Sequence, residues 1–168
     1  MKIPLSLHLF IHFALAALVG YLVGWYFGVI WLGLIAGILG GFFIDLDHVL
    51  EYFIVFGLRF NLKHFLEGRQ FLSSDKMYIW FHAWEYVPVF LAAVWLFWHY
   101  QVFNVAIFLL ALTIGAFVHL VSDCFINHFP ARNYSLINRW RHGFYAPRLL
   151  RPEQYQHNLE QKKRLNLA

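Results

Sequence analysis

Cysteine is almost absent from this chain. Cys124 is the only one, which excludes an intrachain disulfide and a cysteine-based zinc finger and leaves the thiol as a small packed residue. Charge is scarce too: 13% of the 168 residues are Asp, Glu, Lys or Arg, against 61% hydrophobic and 21% aromatic, and the mean hydropathy is +0.56. That balance lies outside the soluble range and reads as an integral membrane protein. Lys and Arg are missing altogether from four apolar runs, Ile3 to Gly24, Val29 to Leu46, Ile79 to Trp98 and Val102 to Val121. Each approaches the ~20 residues that a bilayer core requires.

The expected fold class is therefore all-α, a polytopic membrane protein with four transmembrane helices in two hairpins. Residues 1–128 are expected to form one transmembrane domain with a loop over 51–78, and residues 129–168 a basic, aromatic tail that is no separate domain. Lys2 ahead of an apolar core and "ALA" at Ala14 to Ala16 resemble a signal peptide. Hydrophobicity nevertheless continues through Leu22 with no polar region before the supposed cut, which predicts a retained span. The connections "GWYFG" and "WHYQVFN" are short, uncharged and aromatic, as expected at one membrane interface, whereas every Lys and Arg lies before the first run, in the middle loop or in the tail. By the positive-inside rule those three segments are cytoplasmic. The tail interleaves Arg with Trp, Tyr and Phe, a composition suited to an anionic bilayer surface, and carries no nucleic-acid motif. Gly33, Gly37, Gly40 and Gly41 allow close helix approach, within the bundle or between protomers of a homo-oligomer.

What the runs do contain is a set of imidazoles and carboxylates at one depth. His12 lies early in the first run, Asp45, Asp47 and His48 end the second, His82 and Glu85 open the third, and His119 and Asp123 end the fourth. On helices, partners three or four apart share a face, so Asp45 with His48, His82 with Glu85, and His119 with Asp123 each pair an imidazole with a carboxylate. Helical bundles build dinuclear metal sites from such inward-facing residues. Carboxylates near hydrocarbon need cationic partners, and the runs supply no Lys or Arg. The expected metal ligands are His12, Asp45, His48, His82, Glu85, His119 and Asp123, all at cytoplasmic helix ends. His8, one turn before His12, lines the mouth. Asp47, about 200° from Asp45 on an ideal helix, reaches a metal if the helix frays there and otherwise backs a ligand histidine. Glu51 reads as a solvated loop-end charge, and His64, His128, His142 and His157 as exposed. Imidazole with carboxylate and no thiolate suits zinc, with manganese or iron as alternatives, and the number of ligands allows one or two ions.

"HFALAALVG" from His12, "FIDLDH" from Phe43, "FHAWEYVPV" from Phe81 and "VHLVSD" from Val118 resemble the motifs of a family of bacterial inner-membrane metal-dependent hydrolases: a His in the first helix, then PDxDH, THS and HxxxD segments. A more distant similarity is to the helical zinc-dependent phospholipase C group. The resemblance covers residues 8–125 and implies an inner-membrane location with His12, Asp45, His48, His82, His119 and Asp123 as ligands or their supports. Phe43 and Ile44 stand where the family has Leu-Pro, Phe81 and Ala83 replace its Thr and Ser, and its HRG segment is missing. Substrate contacts made by those groups are not carried over.

A metal at that boundary would acidify a water and polarise an ester or phosphoryl oxygen, with Glu85 or Asp47 as proton acceptor. The expected function is thus hydrolysis of an ester or phosphoester in a lipid or other amphiphile, with Arg132, Arg139 or Arg141 pairing its anionic oxygens. The alternatives are a di-iron membrane oxidase, which normally carries more carboxylates; a metal- or proton-binding protein without catalysis; a transporter, which would need ionisable groups continuing toward the far side; and a scaffold whose tail recruits a partner.

Overall fold

The structure, a computed structural model, describes residues 5–127 and 129–167; Lys2 and His128 lie outside them. The helices are α1 (Leu5–Tyr26), α2 (Ile30–Gly41), α3 (Asp47–Phe56), α4 (Leu62–Leu66), α5 (Arg69–Ser74), α6 (Tyr86–His99), α7 (Phe103–Ile126), α8 (Leu136–Arg141), α9 (Ala146–Leu149) and α10 (Pro152–Arg164). Among the described residues no strand forms, and a single bridge pairs Lys76 with Tyr145.

The chain divides into two compact units. One holds the residues up to Ile44 together with Ala83–Ala131; the other holds Asp45–His82 together with the residues from Arg132 onward. The tail is thus half of a compact unit whose other half is the middle loop, a different partition from the one expected at residue 129.

In the first unit α2 packs against α1 and α7, and α6 against α7. The seams are built from small residues. A Cβ on Gly37 would come within 2.6 Å of Gly20 Cα, and one on Gly115 within 2.7 Å of the Gly37 carbonyl oxygen, so the helix backbones touch. Ala16, Ala36, Ala106 and Ala111 are buried between them, while Phe10, Trp25, Trp31, Trp95 and Phe125 face outward. Small residues inside and large apolar ones outside is the packing of helices in lipid, where burying bulk against a neighbour gains little over burying it in hydrocarbon. The α2 glycines therefore work within this bundle.

Two helices, Leu7–Tyr26 and Phe103–Ile126, are long and apolar enough to cross a membrane, or three spans if the bent pair Ile30–Gly41 and Phe43–Phe56 counts as one. Four clear spans do not form. The third expected run is helical only over Tyr86–His99, its 14 residues reaching about 21 Å. The residues before it are not helical, because other groups claim their backbone. Met77 N–H donates to Phe144 O (2.9 Å), Tyr78 N–H to Glu51 Oε1 (2.6 Å) and Phe81 N–H to Asp47 Oδ2 (2.9 Å), while Ile79 O accepts from Arg139 Nη2 (2.7 Å).

The second unit has an ordinary large-residue core of Tyr52, Leu72, Met77, Ile79, Tyr134 and Leu149. Tyr52 sits among Phe53, Phe56, Phe60 and Phe65, with its hydroxyl accepting from Asn61 N–H (3.1 Å). At its other end Lys162 of α10 reaches Asp75 Oδ2 (2.5 Å).

Candidate metal centres

Each unit gathers histidine nitrogens around one carboxylate. In the first, α1 and α7 bring together three of the expected ligands, His12, His119 and Asp123, and add His8. His8 Nε2 and His12 Nε2 lie 3.4 and 3.3 Å from Asp123 Oδ1, and His119 Nε2 lies 3.6 Å from Asp123 Oδ2. The rings lie side by side and tilted, with centroids 4.4 Å apart for His8 and His12 and 4.0 Å for His12 and His119. The i,i+4 spacings of His8 with His12 and of His119 with Asp123 create this convergence directly.

The far nitrogens of two of these rings face acceptors. His119 Nδ1 is 2.8 Å from Gly41 O, a carbonyl that can only accept, so Nδ1 carries a proton. Ser122 Oγ donates to His119 O (2.8 Å), which turns a lone pair toward His12 Nδ1 at 3.4 Å. Neutral rings held in this way present Nε2 as a lone pair toward a carboxylate oxygen. Two such electron-rich atoms are stable side by side only with a cation or a proton between them. Ligands about 2.0–2.1 Å from a tetrahedral ion stand about 3.3 Å apart, which matches these separations.

The second unit repeats the plan around Asp45. His82 Nε2 lies 3.2 Å and His48 Nε2 3.8 Å from Asp45 Oδ1. Behind His82, Asp47 Oδ2 is 2.9 Å from Nδ1. Asp47 therefore holds His82 from the second position, the role expected for it, and it also accepts from Phe81 N–H. Asp47, His48 and His82 can offer ligand atoms within 4.8 Å of one another, as can His8, His12 and Asp123 in the first unit. Asp47 is fully buried and its Oδ1 has no hydrogen-bond partner. Burial alone disfavours the imidazolium of His82, but the Asp47 and Asp45 carboxylates outweigh it and push its pKa up to about 10. The ring is a strong base in a site built for positive charge.

Several expected placements change. His82 precedes α6 in a non-helical stretch, so it shares no helix face with Glu85, which lies half-buried at the start of α6. Glu51, expected in solvent, is fully buried. It lies three residues beyond His48, the same spacing as Asp45 to His48, so the face rule applied once more would have found it. Arg139 is also fully buried, donating from Nη1 to Asn133 O (3.0 Å) and from Nη2 to Ile79 O, a clamp on the chain rather than an open anion contact. Arg132 and Arg141 are exposed. His142 is half-buried with Nδ1 2.7 Å from Asn138 O, and His64 is half-buried; neither is fully exposed as expected.

Comparison of the chain with protein-family models, with curated proteins and with solved structures gives no match. The likeness to inner-membrane hydrolases rests on the four motifs alone.

Proposed function

We propose that this protein is a membrane-embedded, metal-dependent hydrolase with one divalent ion at the Asp123 group and a second at the Asp45 group, zinc being the first choice. The observation that carries the reading is the convergence of imidazole Nε2 atoms on a carboxylate oxygen in both units at ligand-to-ligand spacing. Such ions supply Lewis acidity and an acidified water. The chain's own residues do the rest. Asp47 and the Gly41 carbonyl fix the tautomers of His82 and His119, and one of the carboxylates, Asp47 or Glu85, takes the proton released from water. Arg132 and Arg141 are open to pair with the anionic oxygens of an ester or phosphoester.

The test is hydrolysis of fluorescent phospholipids and lipid phosphates in mixed micelles by the purified protein beside His119→Ala. Metal-dependent turnover lost in the variant is expected. No turnover of any ester or phosphoester by zinc-, manganese- or iron-loaded protein overturns the hydrolase assignment. Glu51 adds a buried carboxylate that a di-iron oxidase would also use, and an iron content with an oxo-bridge absorption favours that reading instead.

A further inference from the structure

Glu51 is the costliest side chain that this mechanism leaves unused. A carboxylate removed from water is destabilising by several kcal/mol unless it is matched. Only half of this one is. Its Oε1 accepts the Tyr78 N–H at 2.6 Å, but its Oε2 has no hydrogen-bond partner and lies 3.8 Å from Nδ1 of His48, which likewise has none. At 3.8 Å the pair is beyond hydrogen-bond reach, and a closure of about 1 Å would join them.

The surroundings indicate what that closure does. Each histidine of this unit's group points Nε2 at Asp45 Oδ1 and Nδ1 at a second carboxylate, Asp47 for His82 and Glu51 for His48. Each backing carboxylate also accepts a backbone N–H from the non-helical stretch before α6, Phe81 for Asp47 and Tyr78 for Glu51. Two histidines thus have the same support built from different residues, but only the Asp47–His82 contact is closed.

We propose that Glu51 is the positioning residue of His48: its Oε2 accepts the Nδ1 proton, fixing the tautomer whose Nε2 lone pair faces the ion site beside Asp45. The inference rests on the metal reading for its purpose, though not for its first test. Glu51→Gln is close to isosteric and keeps an Oε1 acceptor for Tyr78 N–H, while placing an amide donor against His48 Nδ1 and so favouring the opposite tautomer.

The experiment is 15N NMR of histidine-labelled protein in micelles, with His48 assigned by its loss in His48→Gln, together with zinc affinity by competition with a chromophoric chelator. In metal-free wild type, the proton that remains once the ring becomes neutral is expected on Nδ1; in Glu51→Gln it moves to Nε2, and zinc affinity at one site falls about 10- to 100-fold. A wild-type proton on Nε2, or an unchanged tautomer and affinity in a folded Glu51→Gln, overturns the proposal. The wild-type spectrum decides even if the variant does not fold. Absence of zinc binding in wild type overturns the metal reading while the tautomer still judges Glu51.

Discussion

The two units solve opposite packing problems. The first has a core of glycine and alanine, with helix backbones in contact and large side chains turned outward; the second buries Tyr52, Tyr134 and Ile79 and holds a non-helical segment with Asp47, Glu51 and Arg139. In the first, any added atom is an intrusion. In the second, each lost atom opens a cavity or strands a polar group. Yet both arrive at the same arrangement of imidazoles around a carboxylate, so that arrangement is a property of neither packing style.

Substitutions can break the comparison. The largest effect is expected for Gly40→Val, whose Cβ would meet the backbone of Leu112: more than about 4 kcal/mol, read as loss of monodisperse protein in detergent chromatography. A glycine-to-valine change tolerated there would mean that α2 and α7 are not in backbone contact. Next comes Arg139→Met, which strands the carbonyls of Ile79 and Asn133 and should cost about 3 kcal/mol, seen as rapid proteolysis of the 76–82 segment. Arg139→Lys should rescue little, since an ammonium cannot span both oxygens as the guanidinium fork does.

A pH scan sharpens the second unit alone. His82 has its pKa raised to about 10 in the fold, so its contribution to the stability of metal-free protein is complete below about 6.5 and disappears as the pH rises through about 10. The melting temperature of chelator-treated wild type should therefore fall between pH 6 and 10.5, with a smaller fall in His82→Gln. Smallest is Lys162→Ala, which removes a partly exposed pair with Asp75 and should shift stability by about 1 kcal/mol or less.

Much of the first unit was legible because its signals are local. Apolar runs with no Lys or Arg gave α1 and α7, and the i,i+4 rule gave His119 with Asp123, while His8, expected only at the mouth, joins His12 beside Asp123. The small-residue spacing in α2 indicated close approach, though not that α1 and α7 are its partners. The second unit was poorly legible because its order comes from distant pairs. Nothing near "YIWFHAWEY" in sequence reveals that Glu51, Asp47 and Arg139 claim its backbone, so hydrophobicity suggests helix where the chain is not helical. The same cause misplaced Glu85 beside His82 and left Glu51 in solvent. The contact of Asp47 with His82 agrees with the angular offset of Asp47 from Asp45 within its own segment.

The most direct test of the central claim is elemental mass spectrometry on freshly purified wild type beside His119→Ala and His48→Ala. Up to two equivalents of zinc, manganese or iron in wild type, lowered in each variant while both remain folded, is the predicted result. Wild type without stoichiometric metal, and no uptake on addition, would contradict it and leave the paired imidazoles and carboxylates sharing protons alone.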